Sequence, residues 1–136
     1  MNKGDLVSVE ESLLRRVYRS DKRYIDILRQ ACLPRQAGSV ATGRPTSRAF
    51  APRPQDKAKL SVDIKSLTNY FEAIGDQHRF LLFSILSKLV YDLNLQCVFD
   101  PKDDNVAHAL ITGFDPEDES IPGILARAST KEEPNF

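Results

Sequence analysis

At 136 residues, 41% of them hydrophobic and 28% charged, the chain is long enough to bury one core, and no apolar run reaches the roughly 18 residues that span a bilayer. These figures argue against fibrous, low-complexity and helical-membrane classes. The formal charge is zero, but residues 1–65 hold fourteen Lys/Arg against seven Asp/Glu, and residues 66–136 hold five against twelve.

In chain order, Ser8 and Glu11 have the spacing of a helix capping box. Leu13, Leu14, Val17 and Tyr18 then follow at helical intervals, which predicts a short helix over about 9–19. The rival reading is a strand, because Leu14, Arg16 and Tyr18 alternate with Leu13, Arg15 and Val17. A second helical pattern runs from Asp21 through Tyr24, Ile25, Ile27 and Leu28 and ends at Pro34. Residues 35–59 show no periodicity and are punctuated by Gly38, Gly43, Pro45, Pro52 and Pro54, so an irregular Pro/Arg-rich excursion is expected, pinned by Phe50.

Leu60, Val62 and Ile64 alternate as in a half-buried strand. Ser66 to Ile74 reads as a short helix stopped by Gly75. From about 77 to 93, Phe80, Leu82, Phe83, Ile85, Leu86, Leu89, Val90 and Leu93 predict a long helix that is apolar over much of its circumference, capped by Asp76. The run "NLQCVF" and residues 107–112 read as strands, and "SIPGILARAS" reads as a last short helix with Ser120 as its cap and Pro122 in its first turn. The expectation is therefore an α+β domain over 1–128, with a two- to three-stranded sheet packed on one long central apolar helix and flanking short helices. Residues 129–136 would form a frayed tail.

Cys32 and Cys97 match no metal or redox spacing. The opening residues hold one lysine followed by acids, without a signal peptide's apolar core. A reduced cytoplasmic protein follows as the expectation, with no disulfide, no cofactor and no resident metal.

His108, in "VAHALI", is the first candidate for chemistry, as a proton acceptor oriented by Asp103 or Asp104. The plainer reading is a sheet histidine satisfied by backbone. Of Arg15 and Arg16, one guanidinium turned inward would need a carboxylate or a ligand phosphate, whereas on an exposed helix both are solvated. Around Thr46 and Ser47, the guanidinium groups of Arg44, Arg48 and Arg53 could grip phosphate. Phe50 is the only aromatic interleaved there, so the stretch reads first as a solvated connector. The acids from Asp100 to Glu119 lack the spacing of a calcium loop, and none of the common nucleotide, nucleophile-elbow or zinc motifs occurs.

The blocks "LLRRVYR", "TGRPTSRAF", "LSVD", "FDPKDDNVAHALITG" and "SIPGILARAS" resemble, in order, a small stand-alone bacterial protein family running "LLRRI…GRxSSxAF…LSVD…DP…NPAHALIxG…SIARRLAxAS". The resemblance implies a compact single domain and singles out Arg16, Ser47, Phe50, Ser61, Asp63 and His108. It implies no activity. "ILRQACLPRQAGSVA" departs from it as an insertion, and Val106 stands where the family favours proline.

Two functions follow as expectations. One is a small cytoplasmic bacterial binding or regulatory module with a protein partner, associated with a mobile-element or defence gene cluster. The other is a small nucleotide-directed enzyme or toxin, acting on NAD or RNA with Arg16, Ser47 and His108 converging on the ligand. The order of an early arginine and a mid-chain serine resembles that of ADP-ribosyltransferases, although no late catalytic glutamate is evident.

Overall fold

The computed structural model describes residues 1–19, 21, 23–29 and 39–134. The expected helix-centred α+β domain is overturned: among the described residues the framework is a six-stranded antiparallel sheet with short helices, and there is no long central helix. Strands β1 (Ser12–Tyr18), β4 (Leu60–Ile64), β5 (Phe80–Leu86), β6 (Gln96–Phe99), β7 (His108–Thr112) and β8 (Thr130–Lys131) assemble in the order β6-β7-β4-β1-β5-β8. A separate hairpin pairs β2 (Ile25–Arg29) with β3 (Ser39–Pro45). The helices α1 (Tyr70–Ile74), α2 (Ser87–Asp92) and α3 (Ser120–Ala128) are all short.

The segment expected to be a central apolar helix is β5 followed by α2. Its strand residues mimic a buried helix because both faces are covered over most of its length, with only Leu86 at its end exposed. Leu81, Phe83 and Ile85 enter the main core, while Leu82 and Phe80 pack on the opposite face with Ala73 and Ile74 of α1. A strand buried on both faces reads as a continuous apolar run, which periodicity alone cannot distinguish from a helix.

The helix expected at 9–19 is instead β1, the alternating reading of "SLLRRVY", which pairs with β5 from Ser12↔Leu86 to Tyr18↔Phe80. The helix expected after Asp21 is β2, paired with β3 inside the stretch expected to be irregular. The rest of that expectation at 30–38, with Cys32 and Pro34, lies outside the described residues. The strands expected at 60–64 and 107–112 and the last helix are present as β4, β7 and α3, but Ser120 does not cap that helix: Glu119 is its N-cap, and the Ser120 hydroxyl donates to Asp118 Oδ1. The short helix before Gly75 starts later than expected: Asn69, not Ser66, is its N-cap, its side chain accepting from the Glu72 amide. Asp76 caps no helix, and its carboxylate accepts from the His78 amide in a turn. Within the stretch expected to fray, Thr130 and Lys131 pair with Ser84 and Phe83.

One face of the sheet carries the main core. Phe50 and Ala49, in a 3-10 turn at Ser47–Phe50, meet Leu125 and Ala126 of α3 and Val90 of α2 there. The outer edge of β6 is covered by the N-terminal segment, whose Gly4 and Val7 amides donate to the Phe99 and Cys97 carbonyls. Among the described residues no helix is long and apolar enough to cross a membrane.

Candidate functional site

The sheet is open at one seam. β1 pairs with β5 along its whole length, but with β4 only at Leu13↔Ile64 and Leu14↔Asp63. Beyond that point the half-buried Arg15 bridges the gap: its Nε donates to the Ala49 carbonyl (3.0 Å) and its Nη1 to the Ser61 carbonyl (2.9 Å). A guanidinium carries five donors in a rigid fork, so one side chain can satisfy carbonyls on two separate segments. Desolvation, followed by repulsion from Arg53, pulls the Arg15 pKa down to about 10, which leaves it cationic at neutral pH. The inward-facing arginine therefore meets backbone carbonyls, and it forms no ion pair with a carboxylate among the described residues.

A cleft of about 400 Å³ opens along this seam, a volume in the range of small-molecule sites. Strand alternation places Arg16, Ser61, Asp63 and His108 on the face away from the main core, and all four line the cleft. Asp63 is the cross-strand partner of His108 and accepts from Asn105 Nδ2 at 2.8 Å.

The Arg16 guanidinium carbon lies 4.9 Å from the centre of the Phe80 ring. Gly75 makes room for it: with φ +68, a Cβ there would come within 3.1 Å of Arg16 Nη1. The Tyr18 ring lies 4.9 Å from Phe80 and 5.7 Å from Tyr24, and Arg79 rests against both Phe80 (5.5 Å) and Tyr18 (6.0 Å). Tyr18 remains 43% exposed, so the platform faces solvent.

The cations here are not equally committed. Arg53 is tied to Asp56 (Nε to Oδ2, 3.0 Å), and Arg23 to Asp21 (Nη2 to Oδ2, 2.9 Å). Those hydrogen bonds raise both arginine pKa values and lower both carboxyl values. Arg16 and Arg79 form no ion pair among the described residues.

His108 is buried at 8% exposure. Its Nδ1 lies 3.0 Å from the Asp100 carbonyl oxygen and 3.1 Å from Asp100 Oδ2. Both partners are acceptors, so in the neutral ring Nδ1 carries the hydrogen and Nε2 the free lone pair. Nε2 has no hydrogen-bond partner among the described residues. The orienting carboxylate is Asp100, not Asp103 or Asp104. Asp100 follows β6 while His108 opens β7, and the hairpin brings them together, with the Asp100 amide donating to the His108 carbonyl.

Ser47 is elsewhere. It is exposed on a second cleft, of about 730 Å³, between the 51–58 and 114–122 loops, with Arg48, Asp115 and Asp118. Arg53 touches both clefts, Arg44 is exposed at the end of β3, and Phe50 is wholly buried. Arg16 and His108 thus share a site that does not include Ser47.

Sequence reasoning missed Arg15 as a strut, Asp100 as the histidine's partner, and the stacking platform. The aromatics come from β1, β5 and Tyr24 rather than from the stretch around Phe50, and only the pairing of β1 with β5 assembles them. Among the described residues no group of three His, Cys, Asp or Glu could hold a metal ion. Asp115 and Asp118 instead cap turns, accepting from the Glu117 and Ser120 amides. No family model, curated protein or solved structure matches the chain.

Proposed function

We propose that this protein binds a nucleoside phosphate in the cleft between β1 and β4, either as a free nucleotide or within single-stranded RNA. One observation carries the reading: Arg16 rests on Phe80 beside the exposed Tyr18 ring and makes no ion pair among the described residues. A base stacks on an aromatic face of any sequence, and an uncommitted guanidinium takes the phosphate. Arg79 adds a second such cation next to the same rings.

This reading goes before that of a protein-binding regulatory module, which rests on the charge split. Part of the basic excess of residues 1–65 is met by acids of the other half, Lys3 pairing with Asp100 and Lys65 with Glu132. A cytoplasmic bacterial setting fits either reading.

Fluorescence anisotropy tests the proposal, using a labelled oligoribonucleotide and unlabelled mononucleotide competitors at several salt concentrations. Arg16→Ala and Tyr18→Ala should each weaken binding roughly 5- to 150-fold, the equivalent of about 1–3 kcal/mol for one stacked base or one phosphate contact. Affinity should fall with salt as phosphate contacts require. No binding of either ligand at low salt, or affinity unchanged in Arg16→Ala, would overturn it.

A further inference from the structure

We infer that His108 is a catalytic residue for cleavage of RNA, acting as general base on the ribose 2′-hydroxyl; this rests on the proposal that the cleft takes a nucleoside phosphate. Three features of the cleft carry the step. The first is the polarity of the imidazole: Asp100 fixes the hydrogen on Nδ1, which leaves Nε2 basic and without a partner among the described residues. The second is the cross-strand placement of Asp63 opposite His108, which sets a carboxylate residue and the imidazole side by side on the face that lines the cleft. The third is the source of the nucleophile. Ser61 is the nearest hydroxyl on β4, but its cross-strand partner is Leu110, whereas the residue opposite His108 is Asp63. Among the described residues no cysteine or lysine lines the cleft. The tyrosines of the cleft, Tyr18 and Tyr24, pack ring to ring in the aromatic platform, and the attacking oxygen arrives with the substrate: the 2′-hydroxyl of RNA lies next to the phosphorus it would attack.

The step balances without a further reactant. His108 Nε2 takes the 2′-hydroxyl proton, the 2′-oxygen forms a bond to phosphorus, and the bond from phosphorus to the 5′-oxygen breaks. The departing 5′-oxygen takes a proton from water, and the hydroxide so formed recovers the proton from the imidazolium. The products are a 2′,3′-cyclic phosphate and a free 5′-hydroxyl. Arg16 holds the phosphoryl oxygens as their charge grows. Asp100 is a positioning residue, acting only through the ring.

The test compares a single-stranded oligoribonucleotide with its all-2′-deoxy counterpart, following binding by anisotropy, cleavage on gels and the chemistry of the new 3′ end. The wild type should bind both strands and cleave only the ribonucleotide, leaving a cyclic phosphate. His108→Gln should bind as the wild type does while cleavage falls about 10²- to 10⁴-fold, the usual contribution of a general base. Asp100→Asn should lower kcat and leave KM unchanged, which general loosening of the fold would not do. Thermal melting checks that both variants are folded, and the deoxy strand keeps the test independent of them. Binding of RNA without cleavage by the wild type, binding of free nucleotides only, cleavage of the deoxy strand, or full cleavage by folded His108→Gln would each refute the inference while leaving the binding proposal standing. Absence of all binding would remove both.

Discussion

Arg15 offers the sharpest test of how the cleft is built. Where β1 and β4 part, its guanidinium donates at 3.0 Å to the Ala49 carbonyl and at 2.9 Å to the Ser61 carbonyl. Arg15→Met keeps most of the apolar stem and removes both donors. A hydrogen bond to a charged group contributes about 1.5–3 kcal/mol, and the deserted carbonyls carry a desolvation cost where water cannot reach them. Arg15 is half-buried, so water recovers part of the loss, and the two bonds together should amount to about 2–3 kcal/mol. For a domain of this length each kcal/mol shifts the melting midpoint by about 3–5 °C, which gives a drop of about 6–15 °C. Urea titration followed by circular dichroism would measure the free energy directly. Arg15→Lys should recover less than half, because an ammonium group lacks the fork that spans two segments. A stability within about 0.5 kcal/mol of wild type for Arg15→Met would refute the argument, since that is the range of an ordinary surface substitution.

Gly75→Ala should cost about 1 kcal/mol from its positive φ and, by crowding Arg16 Nη1 at 3.1 Å, should also weaken nucleotide binding, read by anisotropy against the wild type. Phe50→Ala should destabilise the domain by about 3–5 kcal/mol in a urea titration, because the ring is wholly enclosed between the sheet and α3. Burial pushes the Cys97 thiol from its ordinary 9.0 up to about 12, so only the unfolded chain releases that proton in between. The stability it contributes is whole below about pH 9 and is lost as pH rises toward about 12, by about 1.4 kcal/mol per pH unit. Cys97→Ala should flatten that alkaline decline in urea midpoints, and equal slopes in both proteins would show that Cys97 is not its source. In a Cys32→Ser background, native protein at neutral pH should resist iodoacetamide and react once unfolded.

Some of this architecture was legible in the residues themselves. β4 shows in the alternation of Leu60, Val62 and Ile64, because one face of that strand is core and the other lines the cleft. The last helix shows in Pro122, placed in its first turn, and the stop at Gly75 in the only residue type that takes its backbone angle without strain. The anchoring role of Phe50, the one large apolar residue of its stretch, was likewise a local reading, whereas Arg16 came from the resemblance, since local pattern did not separate it from Arg15.

Tertiary structure alone decided the rest. β5 is apolar on both faces because helices cover the sheet on both sides, and that covering exists only after folding, so its residues match a helix as well as a strand. The meeting of Tyr18 with Phe80, of Asp100 with His108 and of Arg15 with the Ser61 carbonyl depends on strand register between segments distant in sequence or turned back on each other. Local propensity carries no information about register. What assembles the cleft is the early parting of β1 from β4, a long-range event with the arginine strut across it.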